Sequence, residues 1–213
     1  MIELKVINKV DPLHRTAEKQ SSVEEFSPMD PPSAYAPPNL EVVAYEAMHP
    51  VLQELMDEHK IVVAKLESFE ETLINLQNEG INKESFGKLA EFFEFFDNEV
   101  VKHHQKEEKT LFPLLHQRLL ESEEHGKGPE ALTAVDMMED DHREILQLAA
   151  VVFNFFGIAM KLPDPNSRLV VLDTAIEQGK HLVEILKLHI FREDNIVFSL
   201  ANQYIEPSKF DNF

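Results

Sequence analysis

The fold follows from residues 182–200, which read LVEILKLHIFREDNIVFSL. Steps of alternately four and three residues along this stretch trace one face of a helix. That face carries Leu182, Leu186, His189, Glu193, Ile196 and Leu200. The stretch therefore predicts an amphipathic helix whose buried face is apolar except for one His–Glu pair.

Three further segments repeat this periodicity, and breaks rich in Gly and Pro separate them. We predict helices at about 45–78, 82–121, 129–161 and 166–205, with a kink at Pro113 late in the second. The connections between them are short, which favours antiparallel neighbours. The predicted fold class is all-α, an antiparallel up-down-up-down four-helix bundle.

Each predicted helix carries polar residues at one level of its otherwise apolar face. The first and third carry one histidine, and the second and fourth carry a histidine followed four residues later by a glutamate. These six residues are His59, His103, Glu107, His142, His189 and Glu193. At 1.5 Å rise per residue, all six lie roughly 18–27 Å from the same end of the bundle. We therefore predict that they form one layer.

Two glutamates in an apolar core need a positive partner, because an unpaired buried carboxylate costs several kcal/mol. No Lys or Arg lies on the four predicted core faces. Four imidazoles and two carboxylates on facing helices suit a pair of divalent or trivalent metal ions. The carboxylates would bridge the ions and the imidazoles would fill terminal positions. Iron suits this mixture first and manganese second, and zinc is a possible substitute.

The composition restricts the chemistry available to the chain. Its 213 residues include no cysteine, which excludes disulfides, thiolate-bound metals and a cysteine nucleophile. A formal net charge of -19 disfavours nucleic acid and anionic membranes as partners. The N-terminus lacks the apolar run of a secretory signal, and no stretch approaches the roughly 18 apolar residues of a membrane span. We expect a cytoplasmic protein whose acidic residues, apart from the two glutamates, lie on the exterior or in linkers.

The N-terminal region differs in composition from the rest of the chain. Six of the twelve prolines fall within residues 1–39, and none of the six glycines does. We predict an irregular Pro-rich arm at 1–44, the four-helix bundle at 45–206 and a C-terminal tail at 207–213. The arm is either a mobile tail or a segment that wraps the bundle.

Four short segments resemble one family. Residues 103–113, HHQKEEKTLFP, and 189–198, HIFREDNIVF, resemble the two HxxxE motifs of the hemerythrin-like, or HHE cation-binding, family. Residues 57–60, DEHK, and 140–143, DDHR, resemble its other two ligand-bearing turns. The resemblance covers residues 45 to 205. It implies a non-heme centre of two iron ions with an Fe–O–Fe or hydroxo bridge.

The resemblance also implies a role for each residue. The terminal ligands would be His59, His103, His142 and His189, and the bridging ligands would be Glu107 and Glu193. The adjacent His104–Glu108 pair and Asp194 offer alternatives. The core face through the first alternative would contain Asp97 and that through the second would contain Lys180. Because a charged residue is unfavourable on a core face, we prefer His103, Glu107 and Glu193 to these alternatives.

One departure from the family bears on function. Oxygen-carrying members place a second histidine four residues from the third-helix ligand, whereas Met138 and Leu146 flank His142 here. We expect four histidines and two five-coordinate metals, each with an open position that suits reaction better than reversible carriage. His49 lies about 15 Å along the helix from His59, too far to supply a fifth ligand.

The function that these features predict is a di-iron protein that binds or reduces oxygen, nitric oxide or peroxide in sensing or stress response. The alternatives are a di-iron oxygenase acting on an organic substrate and an iron-sensing or iron-centre-repair module. Residues 106–113, KEEKTLFP, resemble the repair subfamily, whose members usually carry a cysteine motif in an N-terminal domain. A cysteine-free chain argues against repair. The redox partner, the oligomeric state and enzymatic turnover stay open at this point.

Overall fold

The computed structural model describes residues 42–126 and 131–212. They form four long helices: α1, Pro50–Glu79; α2, residues 83–121; α3, Ala134–Lys161; and α4, residues 165–204. Short 3-10 turns at Tyr45–Ala47 and Pro207–Asn212 flank this set. Neither described range contains a strand, which confirms the all-α prediction. Residues 1–41 of the predicted N-terminal arm lie outside the described part of the chain.

Caps set the starts of the helices. The Asn82 and Thr133 side chains each form a reciprocal capping box, at the starts of α2 and α3. Asp164 caps α4 by accepting a hydrogen bond from a first-turn N–H group, and α1 begins with Pro50. The starts of α1 and α3, at Pro50 and Ala134, lie later than the predicted 45 and 129. Cap chemistry, rather than apolar periodicity, decides where these two helices begin.

Three π-helical segments interrupt the two helices that carry the His–Glu pairs. They are Phe96–Val100 and Glu107–Leu111 in α2, and Glu193–Val197 in α4. The second of them ends just before Pro113, the position of the predicted kink, where proline cannot donate a helical hydrogen bond. A π turn contains one residue more than an α turn, so the buried face moves by one residue beyond it.

This shift corrects the predicted core faces of α2 and α4. In α2 the steps of three and four residues that pass through His103 and Glu107 lead on to Thr110 and Leu114, but Leu111 and Leu115 are the ones that are fully buried. In α4 the periodic pattern predicts that Ile196 is buried, but the buried residue is its neighbour Val197. At the start of α2 the same periodicity predicts that Phe86 faces the core, but its side chain is exposed.

The apolar core consists of two clusters separated by a polar layer. In α1, Leu55 belongs to one cluster and Val62 to the other, and His59 lies between them. The same alternation occurs in the other three helices. The layer is therefore enclosed by apolar side chains on both sides along the bundle.

By length and composition, α3 is apolar enough to cross a membrane. This corrects the expectation that no stretch approaches a membrane span. Of the most apolar 18-residue stretch of α3, 33% is buried inside the protein. Exposed side chains such as Phe153 and Ile158 contribute to the apolar character of the helix. Core helices of water-soluble proteins meet the same criterion, so the composition of α3 does not by itself define a membrane segment.

A close helix contact at Gly179 gives a test of the packing. A Cβ atom at this position would lie 3.0 Å from both methyl carbons of Leu73. We expect Gly179→Val to lower the free energy of unfolding by about 1–3 kcal/mol through overpacking. A Cβ atom at Gly157 would meet nothing within 4 Å apart from its chain neighbours and the backbone of its own helix, so Gly157→Val should stay within about 0.5 kcal/mol of wild type. Urea unfolding of both variants measures the difference, and equal losses would contradict the packing.

Candidate metal centre

All six residues predicted for the site lie in the polar layer. Each is buried, and Glu107 and Glu193 have no exposed surface at all. The structure therefore brings together the side chains that the periodicity placed at one level: His59, His103, Glu107, His142, His189 and Glu193.

Glu107 lies between imidazoles from two different helices. Its Oε1 atom is 3.4 Å from Nε2 of His103, and its Oε2 atom is 3.6 Å from Nε2 of His142. Each oxygen thus faces a different imidazole, an arrangement that allows one carboxylate to span two cations.

Glu193 makes similar contacts to the other helices. Its Oε2 atom lies 3.2 Å from Nε2 of both His59 and His189, and its Oε1 atom lies 3.8 Å from Nε2 of His142. The two glutamates consequently contact imidazoles from all four helices.

A fifth histidine, His104, is also buried in the layer. Its ring stacks on His142 with centroids 3.8 Å apart and planes 8° apart, and its centroid is 5.2 Å from that of His189. The sequence offered His104 only as an alternative to His103, but both of these histidines are buried in the layer. The sequence contained one sign of this arrangement, namely the adjacent pair His103 and His104. Both of their rings lie inside the bundle.

The potential donor atoms fall into two groups. Within each group, one nitrogen or oxygen atom of every member lies within 4.8 Å of the others. The first group comprises His59, His103, Glu107 and Glu193, and the second comprises His104, His142 and His189.

Acidic side chains lie just outside the layer and face the Nδ1 atoms of four histidines. A carboxylate on Nδ1 holds the proton there and turns the Nε2 lone pair inward. Asp194 and Glu108, which were considered as alternative ligands, occupy this outer position. Three of the pairs are hydrogen bonds, His59–Asp194 at 2.7 Å, His103–Glu58 at 2.6 Å and His142–Glu108 at 2.9 Å. The fourth, His189–Asp141, is a longer contact of 3.6 Å without a hydrogen bond.

Electrostatics in the layer favour the protonated forms of His59 and His103 when no cation is bound. Burial opposes a charge on His59, but the hydrogen bond to Asp194 and the nearby negative charge of Glu193 outweigh it and raise the pKa to about 9. Burial likewise opposes a charge on His103, and the attraction of Glu107 raises the pKa to about 10. The pKa of Glu193 falls well below its usual range because nearby imidazoles outweigh its desolvation.

His104 behaves in the opposite way. Burial and the neighbouring His142 and His189 rings lower its pKa well below the ordinary value. Its ring is therefore neutral near pH 7, which leaves one nitrogen with a free lone pair.

The hydrogen-bond inventory shows that the layer fits metal ions. Among the described residues, eight buried side-chain nitrogen and oxygen atoms have no hydrogen-bond partner, and all eight belong to this layer. Buried polar atoms normally have partners, and metal ions accept lone pairs from imidazole and carboxylate groups. The unpaired atoms belong to His104, Glu107, His142, His189 and Glu193.

A surface groove reaches the layer between α1 and α2. It has a volume of about 470 Å³, and His103, Glu58, Lys102 and Lys106 are among its lining residues. The Lys106 ammonium lies 3.2 Å from the Glu58 carboxylate, which in turn accepts the hydrogen bond from His103. The His103 side of the layer is thus the one closest to this groove.

Comparison with known families confirms the resemblance. The family model of the hemerythrin HHE cation-binding domain matches residues 50–201. The chain belongs to this family.

Individual relatives are more distant. They include the iron-sulfur cluster repair protein YtfE of Cronobacter sakazakii (strain ATCC BAA-894), 28% identical over 113 residues, and that of Escherichia coli O81 (strain ED1a), 26% identical over 113 residues. Each match covers 53% of this chain and 46% of the relative, so the chain matches less than half the length of these curated relatives. No solved structure gives a significant match.

The raised histidine pKa values predict the pH dependence of the metal-free protein. The folded pKa values of His59 and His103, about 9 and about 10, exceed the roughly 6.5 of an unfolded histidine. Their contribution to stability is therefore fully present below about pH 6.5 and is lost as the pH rises through the folded values. Urea unfolding in the presence of a chelator, at several pH values between these limits, measures this loss.

Matched variants separate this effect from general charge repulsion. His59→Asn should reduce the pH dependence, whereas His181→Asn, at an exposed histidine, should leave it intact. An unchanged dependence in His59→Asn would contradict the electrostatic account.

Proposed function

We propose that the chain is a non-heme di-iron protein that binds or reduces small oxidants, namely oxygen, nitric oxide or peroxide, in sensing or stress response. The observation that carries this proposal is the enclosed layer in which buried carboxylates and imidazoles converge with unpaired donor atoms. Membership of a cation-binding family supports a metal centre. The names of the relatives, which refer to iron-sulfur clusters, support iron as the metal.

In this proposal the sequence-predicted residues keep their roles. The terminal ligands are His59, His103, His142 and His189, and the bridging ligands are Glu107 and Glu193. The contacts of each glutamate with imidazoles from several helices support the bridging role. The outer carboxylates orient the imidazoles, and the two apolar clusters limit the access of water. Bound iron ions would supply redox electrons and a position at which a small ligand can bind.

The proposal includes an antiparallel up-down-up-down arrangement of the four helices. Hydrogen bonds between α1 and α4 support it, because the partner numbers in α4 fall as the numbers in α1 rise. These pairs are His59–Asp194, Glu70–Lys187 and Gln77–Lys180. We also retain the bundle at 45–206 and a cytoplasmic location, with which a net charge of -19 is compatible.

The groove beside His103 offers small oxidants a route toward the layer. Its volume of about 470 Å³ also falls within the range of sites for small organic molecules. This volume is the observation that favours the oxygenase alternative. An organic molecule that perturbed the spectrum of the iron-loaded protein would support that alternative.

Anaerobic reconstitution with Fe(II) tests the main proposal. We expect two iron ions per chain and, on exposure to air, nitric oxide or peroxide, consumption of the oxidant with new absorption in the near ultraviolet. The double variant Glu107→Gln/Glu193→Gln should weaken iron binding by roughly 100-fold or more, since it removes both buried negative charges while keeping their shape. The exposed control Asp173→Asn should behave as wild type. Failure of the wild-type protein to take up iron or to consume any oxidant would refute the proposal.

Iron-centre repair is a second candidate, and the names of the relatives favour it. Under this candidate the iron-loaded chain should restore activity to a [4Fe–4S] enzyme damaged by nitric oxide, with loss of iron from the chain. The double glutamate variant, loaded under the same conditions, should not. Retention of all the iron by the wild-type chain, with no restored activity, would exclude repair.

A further inference from the structure

His104 differs from the other four histidines of the layer in its surroundings. Each of the others has an acidic side chain facing its Nδ1 atom. Among the described residues, none forms a hydrogen bond or ion pair with His104, and its buried Nδ1 atom is unpaired. A buried imidazole normally has at least one hydrogen-bond partner. The position therefore lacks the polar contact that would stabilise a purely structural histidine.

The placement of His104 supplies a reason for this missing contact. One nitrogen from each of His104, His142 and His189 lies within 4.8 Å of the other two. These imidazoles come from α2, α3 and α4 respectively, so they converge from three directions. Three imidazoles around one point form a common metal site.

We propose that His104 is a third imidazole ligand of the metal ion held by His142 and His189, while the other ion has only the two imidazoles of His59 and His103. This inference rests on the proposed di-metal function and adds a ligand to it. The two ions are then unequal, and the three-imidazole position binds its ion more tightly and fills first.

The local backbone of α2 allows neighbouring residues to serve different ions. Successive residues of a helix point about 100° apart, which suits two ions that lie side by side in the layer. The π segments Phe96–Val100 and Glu107–Leu111 lie on either side of the histidine pair. They adjust the rotation of the intervening turn, Val101–Lys106, so that both rings lie inside the bundle.

A packing role for the ring makes a different prediction from a ligand role. His104→Phe keeps an aromatic ring on His142 but removes both nitrogen atoms. In the ligand role, titration of the metal-free full-length chain with Zn(II) should show one of two binding steps weakened by roughly 100-fold or more. Phe112, whose ring also stacks on His142 at 5.4 Å, supplies the control: Phe112→Leu should keep both steps. Two steps of wild-type affinity in His104→Phe would overturn the proposal.

A measurement on the wild-type chain avoids any effect of substitution on folding. In protein labelled with 15N-histidine, coordination by Zn(II) shifts the ring nitrogen resonances of each ligand. Five shifted rings support the proposal, whereas two bound ions with four shifted rings overturn the role of His104 alone. Failure of the wild-type chain to bind two ions would refute the underlying di-metal function instead.

Discussion

The complete burial of two carboxylates is the constraint on which the rest of the structure depends. Glu107 and Glu193 have no exposed surface, and in the described parts of the chain their ion-pair partners are histidines, not Lys or Arg. Burial of such charges is costly unless cations meet them. Without metal, protonated imidazoles fill this role, which explains the raised pKa values of His59 and His103. Metal ions can replace those protons.

The same constraint organises the surroundings of the layer. It divides the apolar core into two clusters and brings partly exposed acidic residues against the outer nitrogen atoms of the histidines. The expectation that all other acidic residues belong to the exterior or linkers therefore needs correction. Asp194, Glu58, Glu108 and Asp141 each face a buried histidine, so part of the acidic composition orients the centre rather than only solvating the surface.

The π turns connect backbone geometry with the centre. Two of the three begin at the buried glutamates themselves, Glu107 and Glu193. Such turns occur frequently at functional sites because an extra residue changes the direction of the side chains around it. Here the turn lets the carboxylate face the layer while the following residues resume contact with the second apolar cluster through Leu111 and Val197.

The sequence by itself determined the all-α class, the approximate helices and the level of six polar residues, because a His or Glu on an apolar helical face is visible in local periodicity. It also determined the family, through motifs with defined spacing. Only the tertiary structure decided that His104 joins His103 inside, that Asp194 and Glu108 lie outside, and that the core faces shift beyond Glu107 and Glu193. These features depend on how each helix is rotated against its neighbours, and a single π turn alters that rotation without changing the periodicity that precedes it.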